Sequence, residues 1–284
     1  MIVAEHTKDA SALGVEAIRE HYDMLSPLYR TFWGEHIHHG FWRGNETAEQ
    51  AQENLTRELA CRARVGFGEK VLDVGCGLGG SALFLAADYG CRVHGISISP
   101  NQVSAARRQA LLRGLEDRAT FEVRDANELT APPSANFDVI WVIECSEHLF
   151  DKARFIHTCA DLLKPGGRIA LCAWLASDNP SPNDEQLVAE VCEGMLCPSL
   201  GSMRDYVEWM EESGLDVTCA DNLTAHVART WDLCQPMLRF PLVKTLLATG
   251  STRLRNFAAA FSSIAEAYRT GAMAYGMLVA QKPK

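Results

Sequence analysis

No two of the ten cysteines are spaced as CxxC, and their intervals follow no regular pattern. A chain of 284 residues can bury enough core to stand without disulfide staples, so these thiols read as reduced. No apolar run reaches the roughly 18 residues that a membrane-spanning helix needs. The first ten residues carry Glu5, His6, Lys8 and Asp9 where a signal peptide would have its apolar core. A cytoplasmic location is the expectation. An excess of positive charge is missing too: 27 Lys and Arg stand against 36 Asp and Glu, for a net charge of −9. Nucleic acid is therefore not expected as a partner, because phosphate contacts need clustered basic side chains. Repeats and low-complexity stretches are absent, and nothing indicates an oligomer. What is present is a globular balance, 47% hydrophobic and 22% charged.

The apolar spacing of Val15, Ile18, Tyr22, Leu25 and Tyr29 predicts an amphipathic helix near the start. A second helix is expected over Thr47 to Ala63, with Asn45 or Thr47 as its start signal. An alternation of strands and helices follows. Strands are expected at Lys70 to Val74, Arg92 to Ile96, Thr120 to Val123, Phe137 to Ile143 and Arg168 to Trp174. Helices are expected at Ser81 to Asp88, from Pro100 to before Gly114, and at Lys152 to Leu163. Lys164-Pro165-Gly166-Gly167 reads as a tight turn. Beyond a loop from Ala176 to Pro182, a short helix near Met203 to Ser213 leads to a strand near Leu215 to Ala220. Residues 223–272 look helical, and Tyr275 to Gln281 closes the chain as a strand. The alternation implies an α/β fold with a mostly parallel sheet of seven strands, helices on both faces, and a helical insertion over the mouth of the sheet.

The segment Val71-Leu72-Asp73-Val74-Gly75-Cys76-Gly77-Leu78-Gly79-Gly80 joins a strand to a helix through glycines. Such a turn lets a ligand approach the backbone closely. Dinucleotide sites use the same device, so the glycines alone do not choose the ligand. Two details do. Asp73 precedes the first glycine, where a carboxylate faces an ammonium or hydroxyl better than a pyrophosphate. Ser97 ends the second strand, where a nicotinamide site would carry an acid for its ribose. Asp125 follows the third strand; its carboxylate can accept an adenine amine or cap a helix. Cys76 stands at a helix N-terminus, where a thiol is expected to acidify, although its expected role is packing. The fourth strand runs into Glu144-Cys145-Ser146-Glu147-His148 at the mouth of the sheet.

Taken together, the glycine turn, Gly95-Ile96-Ser97-Ile98-Ser99-Pro100-Asn101-Gln102, Asp125-Ala126 and Lys164-Pro165-Gly166-Gly167 resemble the class I S-adenosylmethionine-dependent methyltransferases, which have a Rossmann-like fold. A narrower resemblance spans nearly the whole chain. His38-His39-Gly40-Phe41-Trp42 is similar to a motif of tocopherol, sterol and cyclopropane-fatty-acid methyltransferases. Glu144 to Lys152 resembles a segment of the γ-tocopherol methyltransferases, with Cys145 and Phe150 in place of the usual Ser and Pro. Asp205-Tyr206-Val207, Glu266 to Gly271 and Tyr275-Gly276 are similar to the C-terminal half of that family. The family also holds indole-alkaloid N-methyltransferases. Its plant members carry a plastid transit peptide, and the start of this chain does not resemble one, as expected of a bacterial or trimmed version.

The resemblance implies S-adenosylmethionine as cofactor, held by Asp73, Gly75, Cys76, Gly77, Ser97, Gln102, Asp125, Ala126 and Glu144. Gln102 would share the ribose contact. His39 and Trp42 would lie against the cofactor, Trp42 near the sulfonium, although these aromatics can equally glue the N-terminal helix to the core. The expected division is 1–64 closing the cofactor site, 65–222 as Rossmann-like core, 223–273 as cap over the acceptor, and 274–284 as the last strand. Met237, Leu238, Phe240, Leu242, Leu246, Phe257, Phe261 and Tyr268 are the expected apolar surface of that cap. The expected acceptor is a small apolar or aromatic molecule, most simply a prenylated phenol methylated on carbon; a natural-product nitrogen or oxygen is the alternative, and a nicotinamide-dependent oxidoreductase, against which Ser97 argues, is the reading from another class. His148, which ordinarily titrates near neutrality, is the expected base or orienter, aided by Glu144 and Glu147. A Cys145–His148 nucleophile pair is a further arrangement the spacing allows. No metal is expected at His36, His38 and His39, since methyl transfer from a sulfonium needs no Lewis acid.

Overall fold

In a computed structural model, Lys70–Val74 (β1), Arg92–Ser97 (β2), Ala119–Val123 (β3) and Phe137–Ile143 (β4) run parallel. Residues 14–132, 136–234 and 252–284 are described. Leu163–Ala176 (β5) continues the parallel set beside β4, and Asp216–Asn222 (β6) and Met273–Gln281 (β7) complete it in the order β3-β2-β1-β4-β5-β7-β6, with β7 antiparallel to both its neighbours. The result is the expected seven-stranded α/β sheet. The chain leaves β1 toward β2 and β3, then returns to lay β4 on the other side. That reversal opens a crevice at the carboxyl ends of β1 and β4.

Alternate residues of each strand face opposite sides. Val71, Val139, Trp141, Ala170 and Cys172 join one core. Leu72, Val74, Ile140, Val142, Ile169 and Leu171 join the other. Helix α2 (Ala48–Arg62) brings Leu55 and Leu59 to the first core, beside α3 (Gly80–Asp88) and α4 (Pro100–Leu112). Helix α5 (Lys152–Leu162) brings Phe155 and Ile156 to the second. Sequence signals set these boundaries. Thr47 and Gln50 close a capping box on α2, and Ser99 caps α4 with Pro100 in its first turn.

Helix α1 (Val15–Trp33) occupies the predicted N-terminal span. After β5 the expected loop is followed by a helix over residues for which no element is expected. Pro182–Met195 forms a full helix, α6, started by a capping box between Ser181 and Asp184. The capping pair was legible; the apolar pattern was weak because only one face of α6 is covered, against the last long helix. Helix α7 (Met203–Glu212) follows, then α8 (Thr224–Val227), α9 (Arg229–Cys234) and α10 (Thr252–Thr270). Met237, Leu238, Phe240, Leu242 and Leu246 lie outside the described residues. Lys164 to Gly167 does not close a free tight turn. It is drawn into β5 opposite a register shift at Phe137 and Val139, with Gly166 at φ +77 and its N–H donating to Lys282 O at 3.0 Å.

Candidate active site

Two cavities, about 920 and 790 Å³ including their open mouths, meet at the carboxyl end of the sheet. Tyr22, Ile37, His38, Glu144 and His148 line both. The first lies over the glycine turn and takes in Asp73, Gly75, Cys76, Gly77, Ser97, Gln102, Asp125 and Ala126. The second is walled by aromatic rings, with His39, Glu147, Trp174, Trp231, Phe257 and Phe261 among its residues and, among the described residues, no Lys or Arg.

In the first cavity the glycines do different work. The N–H groups of Gly75 and Cys76 both donate to Ile96 O at 2.9 Å, fixing the turn against β2. A Cβ on Gly75 would fall 2.4 Å from Cys145 Sγ, at φ +76. A Cβ on Gly77 would meet only Ile37 Cδ1, at 3.8 Å, so this position looks into open space. Asp73 is buried and its Oδ2 has no hydrogen-bond partner. Desolvation pushes its pKa up to about 7. A buried carboxylate oxygen left unpaired beside a cavity suits a cationic or hydroxyl group entering there.

Ser97 Oγ donates to Gln102 Oε1 at 2.8 Å, and Gln102 Nε2 donates to Ser26 Oγ of α1 at 3.3 Å. Ser99 Oγ donates to Asp23, also on α1. These bonds tie α1 across the cavity mouth. Asp125 Oδ1 accepts from the N–H of Asn127 at 2.8 Å, so it caps a short 3-10 turn, and the residue also lines the cavity.

Glu144 sits at φ +50, a left-handed conformation that costs a non-glycine residue strain. Its Oε1 accepts from His39 N at 2.7 Å, His39 Nδ1 at 3.0 Å and Tyr275 OH at 2.7 Å. Burial works to raise its pKa, but the charge and hydrogen bonds of His39 prevail and hold it at about 2. Glu147 shows the opposite balance. Its Oε1 accepts from Trp174 N at 2.6 Å, and its Oε2 has no partner. Burial, reinforced by the Glu144 charge, raises it to about 8.

His148 departs from expectation. Its Nδ1 faces Leu196 O at 3.1 Å, and a carbonyl only accepts, so Nδ1 carries the proton. Nε2 is then the acceptor for Tyr22 OH at 2.7 Å. Burial lowers the pKa to about 4, away from the neutral range expected of it. No Cys145–His148 pair forms, because Tyr22 and Leu196 hold both ring nitrogens and Cys145 lies under Gly75. Burial raises the Cys145 and Cys76 thiols; for Cys76 this overrides the acidification expected at a helix start. Trp42 is not placed against either cavity: Arg229 covers its ring, and its indole N–H points to Thr230 Oγ1 at 3.4 Å. His39 lines the second cavity rather than the first. His36 Nδ1 donates to His38 Nε2 at 3.0 Å, and His38 Nδ1 to His39 O at 2.8 Å. Among the described residues no group of three or more His, Cys, Asp or Glu could hold a metal.

Tyr22, Trp174 and Trp231 are the site residues that sequence reasoning missed. Trp174 stands at the carboxyl end of β5, where the rule that singled out Glu144 also applies. Tyr22 and Trp231 come from helices whose apolar spacing reads equally well as core.

Residues 10–275 match the family model described as mycolic acid cyclopropane synthetase. The chain belongs to this family. Among its curated relatives is the chloroplastic tocopherol O-methyltransferase of Arabidopsis thaliana, 31% identical over 300 residues that cover 96% of this chain and 85% of that protein. The 27-O-demethylrifamycin SV methyltransferase of Amycolatopsis mediterranei (strain S699) is 36% identical over 213 residues, covering 74% and 77%. The crystal structure of mycolic acid cyclopropane synthase CmaA1 with SAH and CTAB superposes with a TM-score of 0.83 at 19% identity, covering 94% of this chain and 98% of that one. The protein is an S-adenosylmethionine-dependent methyltransferase with the Rossmann-like fold of that class. The unpaired Asp73 oxygen and the open space above Gly77 fit that cofactor. Among the described residues, no helix is long and apolar enough to cross a membrane.

Proposed function

We propose that this methyltransferase methylates a ring carbon of a prenylated phenol of the tocopherol type. One observation carries the reading: an aromatic-walled cavity, without Lys or Arg among the described residues, joins the glycine-turn cavity at Tyr22, Glu144 and His148. Donor and acceptor would meet there, with the phenol among the rings of Trp174, Trp231, Phe257 and Phe261. Asp73, Gly75, Cys76, Gly77, Ser97, Gln102, Asp125, Ala126 and Glu144 would hold the cofactor. Residues 1–64 would close its site over the 65–222 core, and 223–273 would cap the acceptor ahead of the last strand, 274–284.

The bound cofactor supplies an activated methyl group on a sulfonium. The chain's own work is alignment, which accounts for much of the acceleration in such a transfer. Tyr22 OH, polarised by the His148 Nε2 lone pair, faces both cavities. It would take the phenol proton while passing its own to His148, raising electron density at the neighbouring ring carbon; once methylated, that carbon would lose its own proton to restore the aromatic ring, and His148 would return a proton through Tyr22 to the phenol oxygen. Glu144, ionised and bonded to His39 and Tyr275, would fix the wall between the cavities.

Labelled methyl donor supplied with γ-tocopherol, and in parallel with an indole-alkaloid amine, tests this reading. Label in a ring methyl is the expected result. Label only in an alkaloid amine would replace it. The identity to 27-O-demethylrifamycin SV methyltransferase favours a second reading, transfer to a natural-product hydroxyl by the same Tyr22–His148 pair.

A further inference from the structure

Three buried polar atoms without a partner belong to residues lining the aromatic cavity: Glu147 Oε2 and the indole Nε1 of Trp174 and of Trp231. The first two belong to one small construction. Trp174 N donates to Glu147 Oε1 at 2.6 Å, which assigns Oε1 as the acceptor oxygen and leaves Oε2 as the oxygen able to carry a proton. We propose that Glu147 binds the acceptor as a neutral acid, Oε2–H and the Trp174 indole N–H together donating to one oxygen of the acceptor molecule. This names the acceptor class: an uncharged apolar molecule bearing a hydroxyl or carbonyl oxygen. It rests on the reading of this cavity as the acceptor site.

The donor types carry the argument. An indole N–H only donates, so the group that satisfies it must accept. A protonated or quaternary amine has no lone pair to offer. An oxygen has two, enough for both donors. A diphosphate or carboxylate headgroup would also accept, but among the described residues the cavity wall holds no Lys or Arg to pair with it. Lys152, the cation nearest in effect, has its Nζ committed to Leu149 O at 2.8 Å and Ser199 Oγ at 3.2 Å.

The surroundings keep Oε2 protonated. Glu144 contributes a negative charge from the end of β4, and Lys152 on α5 only partly offsets it. The thiols of Cys145, Cys172 and Cys197 and the phenols of Tyr206 and Tyr268 also face Glu147, and burial raises every one of them, so they stay neutral. The raised pKa of about 8 leaves Glu147 mostly protonated at neutral pH. Donation would fade as pH rises through that value.

The test is calorimetric binding to the S-adenosylhomocysteine-loaded protein, with four probes: γ-tocopherol, the same chroman without its hydroxyl, 27-O-demethylrifamycin SV and geranyl diphosphate. Infrared difference spectra of parent against Glu147→Gln read the carboxyl directly, without any acceptor. The proposal expects a protonated-carboxyl band at pH 7. It expects an oxygen-bearing neutral probe to bind, Glu147→Ala to weaken it roughly ten- to hundredfold, and Glu147→Gln, whose amide still donates, to stay within a few-fold of the parent. Trp174→Phe should weaken that probe by up to about tenfold and leave the deoxy chroman unchanged. An ionised Glu147 at pH 7, or equal loss in Glu147→Gln and Glu147→Ala, overturns the proposal. So does binding of geranyl diphosphate alone. If γ-tocopherol fails but 27-O-demethylrifamycin SV binds with the expected pattern, the prenylated-phenol reading falls and this inference stands.

Discussion

The hydroxyl of Tyr22 donates to Nε2 of His148 across 2.7 Å, joining the N-terminal helix to the end of β4 where the two cavities meet. The bond leaves the Nε2 lone pair of a buried histidine of low basicity engaged by a phenol. Its folded pKa is lowered to about 4, so His148 remains neutral, with its lone pair available, at all higher pH. Between pH 5 and 8 the rate profile should show no limb from this imidazole; an acid limb should appear only toward pH 4. His148→Ala and Tyr22→Phe should each lower kcat by about a hundredfold or more, since general-base effects span roughly 10²–10⁴. The double variant should be little slower than either single one. Additive losses would separate the two residues.

Gly75 and Gly77 lie two residues apart and should fail differently. Gly75→Ala forces a Cβ against Cys145 at φ +76 and should destabilise the fold. Gly77→Val enters open space, so its fold cost is mainly the positive-φ penalty of about 1–2 kcal/mol. It should abolish S-adenosylhomocysteine binding in calorimetry while the protein still melts cooperatively. Retained affinity would move the cofactor away from Gly77.

Asp73 should release a proton when the cofactor arrives. Its carboxyl, raised to about 7 by desolvation, is about half protonated at neutral pH, and an entering ammonium favours the ionised form. Affinity for S-adenosylhomocysteine should therefore rise with pH from 6 to 8. Calorimetry in buffers of different ionisation enthalpy should show proton release near pH 6 that Asp73→Asn removes.

Ser146 anchors the segment between β4 and α5 from beneath. Tyr206 is fully buried, and its hydroxyl donates to Ser146 Oγ at 2.6 Å. Ser146→Ala should destabilise by about 1–3 kcal/mol, the cost of a buried hydroxyl without a partner. Adding Tyr206→Phe should recover part of the loss in urea unfolding.

The sequence by itself determined the sheet, the glycine turn and the placement of Asp73, Ser97 and Glu144 at strand ends. These features are local: period-two burial, caps such as Thr47 and Ser99, and turn glycines act within a few residues of the chain. Trp42 and His39 show where local reading stops, since their motif is contiguous while the partners that place them, Thr230, Arg229, Glu144 and Tyr275, are more than a hundred residues away. Protonation states were decided only in three dimensions. Glu144 and Glu147 are the same residue type three positions apart. One is held at about 2 because His39 packs against it; the other is raised to about 8 because burial and that neighbouring charge act on it with one oxygen left bare. Desolvation and coulombic coupling depend on what tertiary packing brings near, and His148 is set by the same rule: its place after β4 was written in the sequence, but its basicity was fixed by burial, with Tyr22 and Leu196 closing over both nitrogens.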